Sequence, residues 1–255
     1  MSAMLRHLVV LSGVSVVIGA KLRNSTAASQ LRGGVNSSHS GSPPCTCAAN
    51  NPTWSYCQRT TPKCIFIDLG AADGNSFKQF LNNEYGPVAN CPSGQWEALL
   101  VEANPQFTPA LTSVSNQYLG SVHAYSSTAA YMCQGTTSFS IDPDPAHNHW
   151  GSSMKKSFGS KTVTVPTINV MQLVQEHVTQ GDWVILKVDI EGAEYDLLPC
   201  LAEFKHANLI DQIFVEEHHW IQVDAAYTQA QYDSAKVQLR AAGIQIPEGY
   251  HSQSL

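Results

Sequence analysis

The feature that most constrains this chain is an apolar run that ends in a glycine-bearing turn, at residues 64–74 (CIFIDLGAADG). Residues 65–67 are apolar and partly β-branched, which is typical of a buried parallel strand. The turn contains Gly70 and Gly74, and the segment after it, NSFKQFLNNEY, is helix-like. Strand, turn and helix in this order open a doubly wound α/β sheet, in which ligands bind at the carboxyl ends of the strands.

The residues of the turn indicate which ligand it suits. A dinucleotide fingerprint reads G-x-G-x-x-G, but here Ala72 takes the middle position, and Asp68 and Asp73 flank the loop. Two carboxylates disfavour a pyrophosphate, which binds backbone N–H groups at a helix N-terminus. They suit a cation, and S-adenosylmethionine (SAM) carries an ammonium and a sulfonium. The loop therefore resembles the first motif of a class I SAM-dependent methyltransferase.

A second strand is predicted at residues 97–101 (EALLV), directly before Glu102. A carboxylate at this position accepts hydrogen bonds from both hydroxyls of a ribose, so Glu102 is a candidate ribose ligand. Residues 104–105 (NP) also suit the start of a helix, because proline favours the first helical position. The two roles are compatible.

Two later strands also end in acidic residues. The apolar run within residues 184–194 (VILKVDIEGAE) ends at Asp189, with Glu191 and Glu194 in the turn that follows. Acids there also stabilise a helix N-terminus, by about 0.3–1 kcal/mol each, and this role suits Glu194 best. The last predicted strand, residues 212–215, is followed by EEHHW. Weaker strands are predicted near 121–125, 135–141 and 163–165, helices at 168–178 and 225–242, and a polar loop at 142–157.

The charge distribution excludes one class of partner. No Asp or Glu precedes Asp68, and residues 68–255 contain eight Lys and Arg against twenty Asp and Glu, a formal net charge of −12. A nucleic-acid binder needs a basic surface. We therefore expect no nucleic-acid partner.

The N-terminus predicts passage through the secretory pathway. In residues 1–20, Arg6 and His7 precede thirteen mostly apolar residues, the length of a signal-peptide core and shorter than the ~20 residues of a membrane helix. This segment is predicted to be a signal peptide or a short signal-anchor, and membrane attachment is expected only if it stays uncleaved. The chain would then be secreted or lie in the ER or Golgi lumen. An organellar transit peptide is the alternative, because the segment is Ser-rich and lacks acids.

Residues 21–63 are rich in Ser, Thr, Asn, Gly and Pro, which predicts a disordered stem before a domain at 64–255. The stem has two N-glycosylation sequons, at Asn24 and Asn36. Four of the seven cysteines lie within residues 45–64, and in an oxidising compartment they would join the end of the stem to the domain by disulfides. A zinc site is the alternative, but the spacing lacks paired C-x2-C units. The odd total implies at least one free thiol or an intermolecular bridge, and Cys200, in an apolar helical setting, is predicted to be a buried core thiol rather than a reactive one.

Side by side, these stretches resemble the FkbM family of SAM-dependent methyltransferases. The matching strings are IDLGAADG, VEANP, HWGSSM, TVPTINV, ILKVDIEGAEYDLL and VEEHHW, in order between residues 64 and 246. The resemblance implies an α/β, class I methyltransferase-like (Rossmann-like) doubly wound sheet with strand order 3-2-1-4-5-7-6. It also implies SAM as cofactor and, usually, O-methylation. Only nine residues follow residue 246, so we expect the last hairpin to be short or clipped.

The resemblance and the residues together assign a site. The cofactor side comprises Asp68, Gly70, Ala72 and Gly74 at the methionine end of SAM, Glu102 at the ribose, and Ser126 at the adenine. The acceptor side comprises Asp189, Glu191, Glu216 and His218. His218 is the candidate general base, because the pKa of an unperturbed imidazole, about 6.5, lies near neutrality. Two alternatives stay open: His218 is a structural histidine bonded to a carbonyl, or the acids hold a divalent cation through oxygen ligands.

The leading functional hypothesis is a SAM-dependent methyltransferase that acts on a hydroxyl of a glycan or other small molecule in the secretory pathway. A second is a non-catalytic secreted binding domain with the methyltransferase fold. A third is an NAD(P)-dependent oxidoreductase, which the incomplete glycine pattern and the flanking acids disfavour.

Overall fold

The computed structural model describes residues 44–47, 50–86, 91, 94–155, 161–219 and 225–251. The strands are β1 (Cys64–Leu69), β2 (Trp96–Glu102), β3 (Val122–Ser126), β4 (Ala129–Tyr131), β5 (Gly135–Ser140), β6 (Thr162–Asn169), β7 (Trp183–Val188) and β8 (Gln212–Val215). The helices are α1 (Asn75–Leu81), α2 (Thr108–Gln117), α3 (Val170–His177), α4 (Glu194–Glu203) and α5 (Gln229–Ala241). Short 3-10 turns lie at Pro44–Cys47, Pro105–Phe107, Pro145–His147 and Ala207–Leu209.

The core is a parallel five-stranded sheet in the order β3-β2-β1-β7-β8. Every residue of the central strand β1 is buried, as its apolar run predicts. Helices cover both faces: α3, α4 and α5 pack on one side of β1, and α1 and α2 on the other. The mixed α/β, doubly wound fold is thus confirmed.

The register of the central strands determines where the loops meet. Leu69 of β1 lies opposite Val101 of β2 and Val188 of β7, so these three strands end at the same level. The loops that follow them therefore emerge side by side, at the edge where such sheets bind ligands.

The observed strand order agrees with the predicted 3-2-1-4-5 and then departs from it. β7 and β8 are the fourth and fifth strands of this sheet, and β8 has the predicted bounds. The strands expected as six and seven are not formed within the residues that the structure describes. In their place Gln245 makes a single parallel bridge to Gln212 at the outer edge of β8.

A second, three-stranded sheet in the order β4-β6-β5 was not predicted. β5 and β6 lie near predicted strands, but β4 is only three residues long and has no periodic pattern. Phe139, Ile141 and Val165 form a small core in this sheet, against Ala103 and Met154. The sheet thereby positions residues 141–155, which follow β5, near the end of β2.

The folded part begins before residue 64. Trp54 is buried, and its carbonyl accepts a hydrogen bond from the amide of Gln175 in α3, 3.1 Å away. The predicted stem is therefore packed on the domain at least in this part. The predicted signal peptide and the sequons at Asn24 and Asn36 lie outside the described residues. No helix that the structure describes is long and apolar enough to cross a membrane.

Three cysteine pairs form disulfides: Cys45–Cys200, Cys47–Cys133 and Cys64–Cys91, with Cα–Cα distances of 5.2, 5.5 and 5.0 Å. Two of them join residues 44–47 to the domain, which confirms the prediction for Cys45 and Cys47. Cys64 instead pairs with Cys91 inside the domain, and the pairing expected of Cys57 is wrong. All seven cysteines are described, and Cys57 is the free one. The prediction for Cys200 was wrong: the thiol is buried, but its partner lies 155 residues away in the chain, where local sequence carries no signal.

Candidate active site

A cavity that is partly open to solvent lies at the carboxyl ends of the central strands. Six of the ten predicted site residues line it: Gly70, Ala72, Glu102, Asp189, Glu191 and Glu216. The other four, Asp68, Gly74, Ser126 and His218, are not among its lining residues. Phe107 and Phe139 give the cavity part of its apolar wall.

The turn after β1 is built around two glycines with positive φ. Gly70 has φ +82°, and a Cβ at this position would lie 1.8 Å from the carbonyl oxygen of Asp189, so only glycine fits. Gly74, with φ +83°, precedes α1 and lies outside the cavity lining. Between them, the backbone N–H of Ala72 donates to Glu102, which fixes the curve of the loop.

Glu102 connects the first and second loops. One carboxylate oxygen accepts from the N–H of Ala72 at 2.8 Å and the other from the N–H of Asn104 at 2.6 Å. Each oxygen keeps a lone pair for a ligand hydroxyl. Burial raises the pKa of Glu102 to about 7, although the two backbone hydrogen bonds lower it. Ser126, the last residue of β3, lies opposite Glu102 of β2 in the register of the two strands.

A buried lysine, which sequence reasoning missed, lies beneath the first loop. The Nζ atom of Lys187 is 3.3 Å from Asp68 and 3.1 Å from Asp189, and it donates to the carbonyl of Gly70 at 2.8 Å. Burial lowers the pKa of Lys187, but the charges of Asp189 and Asp68 outweigh this effect and raise it. Asp68 is therefore a fully buried partner of Lys187, below the cavity rather than in it. The signal in the sequence was a lysine inside the apolar run VILKV.

On the acceptor side, His218 lies among three carboxylates. Its Nε2 is 3.3 Å from Glu191 and 3.7 Å from Asp189, and its Nδ1 is 3.0 Å from Glu194. Glu194 is fully buried and also accepts from the backbone N–H groups of Gly192 and His218. It thus anchors His218, besides beginning helix α4 as predicted.

The charge of His218 does not fit the base predicted from the sequence. Burial lowers its pKa, but hydrogen bonds to Glu191 and Glu194 outweigh burial and raise the pKa to about 11. At neutral pH the ring is therefore an imidazolium that donates from both nitrogens. One ligand atom each from Asp189, Glu191 and His218 lie within 4.8 Å of one another, so the group could also hold a metal ion.

Residues 141–155, which follow β5, cross from one side of the cavity to the other. Ser152 bonds Asn104, after β2, at 3.2 Å, and Ser153 donates to the carbonyl of Glu191, after β7, at 2.6 Å. His149 and Trp150 of this segment line the cavity. Neither was predicted as a site residue, although both belong to the string HWGSSM.

Residues 68–235 match the family model described as the methyltransferase FkbM domain, which is more than half of the chain. Neither the curated proteins nor the solved structures contain a significant match.

Proposed function

This chain belongs to the FkbM methyltransferase family, and we propose that it transfers the methyl group of SAM to a hydroxyl of a glycan or other small molecule in the secretory pathway. One observation carries this proposal: the glycine turn after β1, Glu102 and the acids after β7 and β8 all line the same cavity. The match to the family supports methyl transfer. The cofactor, the acceptor class and the compartment are the proposal.

The charge of the cavity fits SAM better than a nicotinamide dinucleotide. Four acidic residues line it: Glu102, Asp189, Glu191 and Glu216. Lys187 also lines it, but its ammonium is shared between Asp68 and Asp189. A sulfonium and an ammonium are attracted by this surface, whereas a pyrophosphate is repelled. The chain would hold SAM through the turn at Gly70 and through Glu102 at the ribose.

Bound SAM supplies an activated methyl group, and the chain's contribution is alignment. Lys187 bonds both the carbonyl of Gly70 and the carboxylate of Asp189, so it fixes the cofactor side relative to the acceptor side. Asp189 and Glu191 face the cavity and would accept hydrogen bonds from the acceptor's hydroxyls. The imidazolium of His218 positions these two carboxylates. If they instead hold a cation, EDTA will abolish turnover and Mg²⁺ will restore it.

Isothermal titration of the folded protein with SAM tests the proposal. We expect SAM to bind and NADH not to bind. Glu102→Ala should weaken SAM binding by about 1.5–3 kcal/mol, the range for a hydrogen bond to a charged group. Glu84→Gln, an exposed acid on the loop after α1, is the matched control and should bind like wild type.

Two results would count against the proposal. Unchanged SAM affinity in a folded Glu102→Ala protein would remove the ribose assignment. Binding of SAM without methyl transfer to any of a broad panel of hydroxylated acceptors would favour a binding domain with the methyltransferase fold.

A further inference from the structure

His149 lies on the cavity wall in a segment anchored at both ends of the site. Ser152 ties the segment to Asn104, and Ser153 ties it to Glu191. His149 itself has φ +61°, a left-handed conformation that is uncommon for a residue with a Cβ. The imidazole is therefore held against the cavity by a fixed backbone rather than by a free loop.

The hydrogen bond of His149 determines its tautomer. Nδ1 lies 2.8 Å from the carbonyl oxygen of Asp142. A carbonyl oxygen only accepts, so Nδ1 carries the proton and donates. In the neutral ring Nε2 then has a free lone pair, and Nε2 makes no hydrogen bond to any residue within the described ranges. A proton acceptor is thus placed on the cavity wall.

The other histidine near the site is arranged in the opposite way. Both ring nitrogens of His218 lie within 3.3 Å of a carboxylate, Glu191 at Nε2 and Glu194 at Nδ1. A ring that donates from both nitrogens has no lone pair for a substrate proton. Among the described residues that line the cavity, His149 is the one histidine.

Trp150, the next residue, lines the same wall and has a donor that no described residue satisfies. Its indole Nε1 is buried and has no hydrogen-bond partner among the described residues. Buried N–H groups are nearly always paired, and Trp150 lines the same cavity.

From this geometry we propose that His149 is the general base of the methyl transfer, an inference that rests on the function proposed above. Nε2 takes the proton of the acceptor hydroxyl while the oxygen–methyl bond forms and the methyl–sulfur bond breaks. The products are the methyl ether and S-adenosylhomocysteine, a neutral thioether. The positive charge lost by the sulfonium resides on the imidazolium of His149, which then releases the proton to water. Nδ1–H keeps its bond to the Asp142 carbonyl throughout.

The tautomer of His149 can be measured without a methyl acceptor, by ¹⁵N NMR of the histidine side chains in the full-length protein at pH 8. We expect a His149 ring protonated at Nδ1 and unprotonated at Nε2, and a His218 ring protonated at both nitrogens. The His149→Asn variant assigns the signal. A neutral His149 ring with its proton on Nε2 would overturn the inference.

Turnover gives the second measurement. Asparagine tolerates a positive φ, and its amide N–H can still donate to the Asp142 carbonyl, so His149→Asn removes Nε2 while keeping the fold. We expect this variant to lose ~10²–10⁴ in kcat, the usual span for general acid–base catalysis, with SAM affinity unchanged. His147→Asn is the control, since His147 lies in the same segment, largely exposed and outside the cavity.

The outcomes separate the inference from the function on which it rests. Near-normal kcat in His149→Asn, with loss of turnover in Glu191→Gln, would move the base to Glu191 and leave the methyltransferase standing. A wild-type protein that does not bind SAM would remove both.

Discussion

Lys187 is the residue that holds the two sides of the site together. It is almost completely buried, and its ammonium compensates the carboxylates of Asp68 and Asp189. Removing one partner of a buried ion pair leaves an uncompensated charge, which costs about 3–5 kcal/mol. The energetic role of Lys187 can therefore be measured as stability.

We expect Lys187→Met to lower the free energy of unfolding by about 3–5 kcal/mol, because the buried carboxylate of Asp68 and the partly buried one of Asp189 lose their counter-charge. Urea denaturation measures this change. Lys78→Met, on the exposed side of α1, should change stability by less than about 0.5 kcal/mol. Adding Asp68→Asn to Lys187→Met should restore part of the loss. A cost below 1 kcal/mol for Lys187→Met alone would contradict the pairing.

Glu102 predicts how cofactor binding depends on pH. Burial raises its pKa to about 7 in the free protein, so the side chain is mostly neutral at pH 6 and mostly ionised at pH 8. A ribose needs the carboxylate, which accepts from both hydroxyls. SAM affinity should therefore rise with pH, by up to about tenfold from pH 6 to pH 8. Titration calorimetry at both pH values tests this, and Glu102→Gln should flatten the dependence. A rise of equal size in Glu102→Gln would assign it to another group.

At the residue scale, the sequence predicted which side chains lie close together better than it predicted their charge states. Residues after β7 and β8 were predicted to meet, and Glu191 and His218 do meet at 3.3 Å. The protonation of His218 could not be predicted, because it depends on Glu194, whose carboxylate reaches back across the turn from the first residue of α4. A contact between residues that lie 24 positions apart in the sequence cannot be predicted without knowledge of the fold.

At the scale of elements, the strength of the local pattern decided which strands were predicted. β1, β7 and β8 are apolar runs, and their predicted cores match the observed strands closely. β4 has three residues and is specified by its pairing with β6, not by its own sequence. The three-stranded sheet, whose strand β5 precedes His149, was missed for this reason.

The turn between β1 and α1 gives a prediction at the same scale. Gly70 and Gly120 have nearly equal φ, +82° and +81°, but a Cβ on Gly70 would meet Asp189 and one on Gly120 would meet nothing within 4 Å. Gly120→Ala should cost only the left-handed strain, about 1–2 kcal/mol. Gly70→Ala should cost at least about 2 kcal/mol more and weaken SAM binding, because the ends of β1 and β7 must separate. Equal costs in urea denaturation would show that the two strands are not tightly apposed.

At the scale of the whole molecule, disulfides fix distant parts of the chain. Cys45–Cys200 and Cys47–Cys133 close loops of 155 and 86 residues, from the 3-10 turn at Pro44–Cys47 to α4 and to the segment after β4. Cross-links that close long loops reduce the entropy of the unfolded chain most. These bonds persist in an oxidising compartment, which supports the proposed lumenal or secreted location.

We expect protein produced through a secretory pathway to contain three disulfides and one free thiol, at Cys57, and to carry a glycan at Asn24 or Asn36. Thiol titration of the denatured, unreduced protein and mass spectrometry measure both. The pair of substitutions Cys47→Ser and Cys133→Ser should destabilise the fold by about 2–5 kcal/mol, the usual effect of removing a native disulfide. Cys57→Ser should abolish the titratable thiol and leave stability nearly unchanged, because Cys57 has no disulfide to lose. Seven titratable thiols and no glycan in protein from its native source would place it in a reducing compartment, where the three bonds would not form and the fold would depend on its core alone.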